Sequence, residues 1–201
     1  TRELDVPLIV DEVQTGIGRT GSWFAFEQYG IEPDVIVASK ALSGMGLPVA
    51  IVIYDGELDT WGPGAHTGTF RGNQLAFAAG VKAIEVIERD DVLGNVRARG
   101  EQVAARLAAL TGHPAVREVR GRGLMWGIEL NPTGGRTAGQ LAADVQALAV
   151  RAGLILELGG RDDCVVRMLP PLNVTAEVMD TALDILTGAL ETAVTRAARA
   201  A

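Results

Sequence analysis

The sequence predicts an α/β domain followed by a smaller α+β unit, and three observations predict it. Apolar runs rich in Val and Ile at 8–10, 34–38 and 48–54 are separated by loops rich in Gly and Thr. Runs this apolar are expected as strands buried in a sheet rather than as half-exposed ones. From Gln74 the apolar residues take up helical spacing, and beyond Gly112 and Pro114 short strands and helices alternate again.

Taken in order, the run 8–10 ends in the acidic pair Asp11-Glu12, and 13–21 is a Gly/Thr-rich loop. The segment 22–27 reads as a short helix. The run 34–38 is a second buried strand with Lys40 just past its end, and 48–54 is a third. The stretch 62–73 is loop, rich in Gly, Thr and His. Leu75, Ala79, Ala83 and Val86 keep a spacing of about 3.6 residues, which predicts a helix. A second helix over 92–110 stops at Gly112 and Pro114, residues that end helices. Strands are expected at 116–120 and 124–130 around Gly121-Arg122-Gly123. A helix follows over 138–152, then strands at 154–158 and 165–169. The last helix begins after Thr175, a suitable N-cap. We therefore expect residues 1–90 to end a large α/β domain, 91–115 to form a connecting helix, and 116–201 to form a small α+β domain.

Composition narrows the function. The chain has 201 residues and a net charge of −7, so it carries no basic footprint for nucleic acid. Its single cysteine, Cys164, excludes an internal disulfide framework and suits a reducing, cytoplasmic setting. No apolar run is long enough to cross a bilayer, and two histidines with one cysteine make no metal-ligand set. The sequence lacks an initiator Met and reaches a strand almost at once, with too few strands following to enclose it. It reads as a piece of a longer chain.

Of the 18 basic residues, only Lys40 and Lys82 are lysines. Genomic base composition explains the bias most simply, yet it makes each lysine worth a question. Arginine keeps its proton near neutral pH, whereas a desolvated lysine can lose it. Lys40 follows Val35-Ile36-Val37-Ala38-Ser39, an apolar setting expected to disfavour its charged form. Lys82 sits in the helical pattern and is expected to be solvated.

Asp11 and Lys40 thus each follow a buried strand, and ligands of parallel α/β sheets bind at the carboxyl ends of strands. One reading is a structural ion pair. Another is a pyridoxal phosphate site, in which the lysine carries the cofactor and the carboxylate keeps its pyridine nitrogen protonated. A third is the acidic strand of a P-loop protein, but neither lysine sits in a GxxxxGK[ST] loop.

The motifs go further. Val10-Asp11-Glu12-Val13-Gln14-Thr15-Gly16 with Gly18-Arg19-Thr20-Gly21, then Pro33-Asp34 and Ser39-Lys40, resembles the signature of class III (omega) aminotransferases, pyridoxal-phosphate enzymes of fold type I. The resemblance runs on through Thr67-Gly68-Thr69-Phe70-Arg71-Gly72-Asn73, Arg120-Gly121-Arg122-Gly123-Leu124-Met125 and Val166-Arg167-Met168-Leu169-Pro170-Pro171-Leu172. It covers essentially the whole chain, as the C-terminal half of such an enzyme. It implies that Asp11 pairs with the pyridine nitrogen, Val13 packs on the ring and Gln14 bonds its phenolic oxygen. Lys40 carries the cofactor and moves the proton. Thr69 reaches the cofactor phosphate of the partner subunit in a homodimer, and Arg167 grips the carboxylate of glutamate or 2-oxoglutarate.

Each residue has a plainer reading. Val13 suits any apolar core, Thr69 can close a turn, and Arg167 can pair with a structural partner such as Glu129. Arg19 and Arg122 are expected to brace loops, Trp23, Phe24 and Phe26 to pack, and His66 and His113 to be bystanders.

Within the family, Gly46-Leu47-Pro48, Leu58-Asp59-Thr60-Trp61, the 63–73 loop and Gly153-Leu154-Ile155-Leu156-Glu157-Leu158-Gly159-Gly160-Arg161 resemble the diaminobutyrate–2-oxoglutarate aminotransferases. Ornithine and acetylornithine enzymes carry a Ser-Thr-Phe-Gly-Gly-Asn loop, whereas Gly68 and Arg71 stand here at the Ser and first Gly. The implied reaction makes 2,4-diaminobutyrate from aspartate 4-semialdehyde and glutamate, for ectoine, siderophore or peptide-antibiotic synthesis. Alternatives are another class III aminotransferase, a semialdehyde aminomutase, or an inactive binding module.

Overall fold

The computed structural model describes residues 1–200, arranged as two compact units, Thr1–Gly94 and one that begins at Asn95. In the first, β1 (Ile9–Asp11), β2 (Val35–Ala38) and β3 (Ile51–Tyr54) form a sheet of that order, β1 parallel to β2 and β3 antiparallel to it. Asp34 sets the register. Its carboxylate accepts the Leu8 N–H at 2.6 Å, and its own N–H donates to the Leu8 carbonyl at 2.9 Å. On its other side the Asp34 carbonyl accepts the Asp55 N–H at 3.0 Å. One residue thereby ties the starts of β1 and β2 to the end of β3, and Asp11 comes to lie opposite Val37.

The parallel pairing expected of β1 is present, but the burial is not. Among the described residues β1 pairs only with β2, and Ile9 is 63% exposed. β3 begins three residues later than expected, after Pro48, which has no N–H to give a ladder. The segment 22–27 is not an α-helix. A 3-10 turn, Ala25–Tyr29, forms instead, entered where the Glu27 side chain accepts the Phe24 N–H at 2.7 Å and left at Gly30. Gly18 and Gly21, at positive φ, break the chain just before this segment, and six residues are too few for two turns of α-helix.

Helix α1 (Gln74–Arg89) starts on Asn73, whose side chain accepts the N–H groups of Leu75 and Ala76. Its inward stripe, Ala76, Gly80 and Ile87, is small enough to take the backbone of the 3-10 turn Lys40–Ser43 directly. A Cβ on Gly80 would stand 3.0 Å from the Leu42 carbonyl oxygen.

The second unit is an antiparallel sheet of order β4-β5-β7-β6, with β4 (Val116–Arg122), β5 (Met125–Leu130), β6 (Glu157–Gly159) and β7 (Val165–Met168). Helix α3 (Ala138–Arg151) packs on it and on α4 (Ala176–Ala200). α3 opens with a capping box, Thr137 and Gln140 each accepting the other's N–H. On α4, Met179, Leu183, Leu186, Leu190, Ala193 and Ala197 are buried at alternating spacings of three and four, one face of a helix. Burying each such leucine contributes about 1.5–3 kcal/mol.

Helix α2 (Val92–Leu107) straddles the boundary, then tightens into a 3-10 turn over Ala108–Leu110. Its Asn95 amide donates to the carbonyls of Leu172 and Val174, and Gln102 donates to that of Ala176. The expected strand at 154–158 is displaced to β6. Residues 154–156 instead follow the end of α3, where Leu154 donates to Ala149 and the Leu156 carbonyl accepts from Gln146. Leu156 is buried there.

Across β4 and β5, Glu129 receives Arg117 at 3.1 Å and Arg120 at 2.7 Å. The hydrogen bond from Arg120 is the main cause that holds the Glu129 carboxyl below its usual range. Its stabilisation is present above the unfolded-state value, about 4.3, and is lost as pH falls through the lower folded value. In urea titrations between about pH 5 and 3, the parent is expected to lose more stability than Glu129→Gln. Equal losses would contradict this.

Candidate active site

Asp11 ends β1 and Lys40 stands two residues past the end of β2, so the register of a parallel pair brings both to one sheet edge. Asp11 Oδ1 accepts the Val13 N–H at 3.0 Å, a turn that starts the loop carrying Val13 and Gln14. Lys40 has φ of 43°, a left-handed conformation seldom held by a residue with a side chain.

The surrounding turn enforces that conformation. The Ser39 hydroxyl donates to the Val49 carbonyl at 2.7 Å, Leu42 N–H donates to Ser39, and Gly44 N–H to Ala41. Gly44 closes the turn at φ 67°, where a Cβ would stand 2.5 Å from that of Ala83. Residues held in sparsely populated backbone regions cost about 1–3 kcal/mol and gather at functional sites.

Lys40 and Asp11 do not pair with each other. Among the described residues no ion pair involves Lys40, and its side chain is exposed. That departs from the desolvated setting expected of it, because the apolar run before it points into the sheet and the turn carries the amine away from it. It also removes the structural ion pair as the reason for these two residues. Lys82 pairs with Glu85 on the surface of α1.

Glu12 is the residue that sequence reasoning passed over. It is 3% exposed. Its carboxylate accepts the Phe26 N–H at 2.9 Å and the Thr15 hydroxyl, so one side chain ties both ends of the 13–26 loop to the strand. The Glu12 N–H donates to Val37 and its carbonyl accepts from Gly16. A Cβ at Gly16 would come within 2.7 Å of that carbonyl. The i to i+3 spacing of Glu12 and Thr15, with Gly following, was the available signal. Arg19, in the same loop, is pushed below the usual guanidinium range by burial.

Thr69 lies exposed in the loop before α1. Beside this loop opens a cleft of about 870 Å³, with Ser39, Tyr54, Trp61, His66 and Arg71 in its wall. Trp61 meets Tyr54 and His66 edge-on at 5.3 and 4.5 Å, so His66 has a packing role. His113, in the second unit, accepts the Ala115 N–H and lies 3.5 Å from Glu191.

Arg167 projects from β7 in the second unit, opposite Glu157 of β6. Its guanidinium lies 3.5 Å from the Glu157 carboxylate, not against Glu129, which Arg117 and Arg120 already occupy. No group of His, Cys, Asp and Glu suited to a metal ion occurs among the described residues. Nor is any helix among them long and apolar enough to cross a membrane.

An acid, an unpaired primary amine and the loop carrying Gln14 thus lie together at the ends of two neighbouring strands. The chain belongs to the class III aminotransferases, whose family model matches residues 1–190. Enzymes of this family depend on pyridoxal phosphate.

More narrowly, it is 50% identical to a diaminobutyrate–2-oxoglutarate aminotransferase of Rhizobium meliloti, over the whole of this chain and 44% of the relative. It is 44% identical to a diaminobutyrate–2-oxoglutarate transaminase of Nocardia farcinica, over 96% of this chain and 43% of that one. The chain therefore spans less than half the length of these curated relatives. Among solved structures, the ornithine delta-aminotransferase of Plasmodium falciparum superposes with a TM-score of 0.86 at 31% identity, covering 97% of this chain and 50% of that one. A transaminase solved with L-alanine gives 0.88 at 30% identity, covering 97% and 48%. These likenesses extend over both units and bear out the fold type I architecture.

Removing the Glu12 carboxylate strands two donors, each costing about 1–3 kcal/mol when buried without an acceptor. Glu12→Ala is expected to lower the unfolding free energy by about 2–5 kcal/mol in urea titrations. Glu12→Gln is expected to lose a fraction of that, because its amide can accept from Phe26 and donate to Thr15. Equal losses from the two would contradict the bridging role.

Proposed function

We propose that this chain is the cofactor-lysine half of a pyridoxal-phosphate-dependent aminotransferase that moves the amino group of glutamate to aspartate 4-semialdehyde, giving 2,4-diaminobutyrate and 2-oxoglutarate. The observation that carries the reading is the exposed, unpaired Lys40 amine, held in a strained turn at the same sheet edge as Asp11. The likeness to diaminobutyrate–2-oxoglutarate enzymes supports the choice of substrates.

When bound, pyridoxal phosphate supplies an electron sink for the pair released as a substrate C–H bond breaks. Asp11 would hold a proton on the ring nitrogen, its own orientation fixed by the Val13 N–H. Gln14, on the loop anchored by Glu12, would donate its amide to the ring's oxygen, and Val13 would exclude water from one ring face. The Lys40 amine would hold the cofactor covalently and, once the substrate amine has displaced it, would take the proton from the substrate carbon and deliver it to the cofactor carbon. Thr69 would donate its hydroxyl to the cofactor phosphate of a second subunit, which makes the working unit a homodimer. Arg167 would bind the carboxylate of glutamate or 2-oxoglutarate with its two-pronged guanidinium, displacing the exposed Glu157 carboxylate 3.5 Å away. We place the enzyme in the cytoplasm, in keeping with a single cysteine.

The test uses a chain of the relatives' full length. Glutamate is expected to bleach the visible band of the bound cofactor, and aspartate 4-semialdehyde to restore it. Lys40→Arg is expected to abolish turnover, because arginine offers no neutral amine. Turnover that survives in Lys40→Arg, or a band indifferent to glutamate, would overturn the reading.

A further inference from the structure

Arg71 and Gly68 set this loop apart from the Ser-Thr-Phe-Gly-Gly-Asn form, and the aminotransferase chemistry proposed above gives neither of them work. Their geometry does. The Arg71 N–H donates to the Gly68 carbonyl at 3.1 Å, closing a tight turn over Gly68, Thr69 and Phe70. Its side chain then folds back across that turn, and Nη1 donates to the His66 carbonyl. The chain from Gly68 to Arg71 is thus tied on both sides of Thr69 by one residue.

The fold-back needs room, and Gly68 provides it. A Cβ on residue 68 would lie 3.3 Å from Cγ, 3.4 Å from Cδ and 3.4 Å from Nε of Arg71. A contact that close asks the flexible partner to give by a few tenths of an ångström, so a serine at 68 would press on the arginine lying over it. His66, the acceptor, is itself held in place by its edge-on contact with Trp61 at 4.5 Å. Phe70, in the middle of the turn, is 95% exposed and contributes no anchoring within this chain. Asn73 holds the far end of the loop by capping α1, and the Thr67 N–H donates to the Gly64 carbonyl at its near end, so the turn around Thr69 is braced chiefly by Arg71.

We infer that Arg71, folded over Gly68 onto the His66 carbonyl, is a clasp that fixes the Thr69 turn in the shape required to meet the partner subunit's cofactor phosphate. It is a positioning residue acting through Thr69, and the pair Gly68–Arg71 replaces whatever braces the serine form of the loop. The inference rests on the functional reading above, because only that reading gives Thr69 a phosphate to meet.

The experiment is a double-mutant cycle on cofactor affinity, measured by titrating the apo form of the full-length dimer with pyridoxal phosphate. Losing a hydroxyl bond to a charged phosphate is expected to weaken binding about tenfold in Thr69→Ala. Arg71→Ala is expected to weaken it by a similar factor, Gly68→Ser by less because the flexible arginine can give, and Arg71→Lys by less, since its ammonium can still reach a carbonyl. The deciding result is the combination: Thr69→Ala with Arg71→Ala is expected to be no weaker than Thr69→Ala alone. Losses that multiply would mean that Arg71 touches the cofactor or stabilises the dimer on its own account, and would overturn the clasp. So would an Arg71→Ala affinity equal to that of the parent. A parent that binds no pyridoxal phosphate would instead overturn the functional reading, and the clasp with it.

Discussion

Asp34 carries the constraint on which the arrangement of the first unit depends. By accepting the Leu8 N–H on its carboxylate and donating its own N–H to the Leu8 carbonyl, it starts the parallel pairing of β1 and β2 in one register. A slip by one residue would turn each strand's side chains to the opposite face. The register in turn decides that Asp11 ends its strand opposite Val37, and that the chain beyond Ala38 turns at the same edge. The cross-strand geometry of the site is therefore a matter of backbone hydrogen bonding before any catalytic side chain is considered.

Two further devices convert that edge into fixed positions. Glu12, buried beside the exposed Asp11, ties Thr15 and Phe26 to the strand and holds the intervening loop. On the neighbouring strand, the small face of α1 at Gly80 and Ala83 lets the Lys40 turn lie directly on the helix. The left-handed backbone at Lys40 is thus held from both sides, by Ser39 on the sheet and Gly44 on the helix. Stabilisation that elsewhere would be surplus is spent here on placing one amine.

Much of this was legible in the sequence. The Val- and Ile-rich runs and the helix starts at Gln74 and Ala138 declare themselves by composition and spacing, and the motif order declares the family. What was not legible depended on tertiary context. Residues 154–156 have the composition of a strand but follow the end of α3, because burying Leu156 and bonding Gln146 outweighs local preference. The segment 22–27 has a helix-like composition, but its Phe24 and Phe26 stack on each other and the chain forms a 3-10 turn over Ala25–Tyr29. The apolar run before Lys40 suggested a desolvated amine, yet the turn at φ 43° carries it out to the surface of this chain. Glu129 was a candidate structural partner for Arg167, but Arg117 and Arg120 occupy it, and Arg167 lies against Glu157 instead. The buried acceptor role of Glu12 was hidden by its more conspicuous neighbour Asp11.

The central claim is that Lys40 is the residue to which the cofactor is joined. Reducing the pyridoxal-phosphate-loaded protein with borohydride and mapping its peptides by mass spectrometry tests it directly. The account requires the mass of the reduced cofactor on Lys40 and on no other lysine of this segment. The mass on Lys82, or no modification within residues 1–200 when the cofactor is bound, would contradict it.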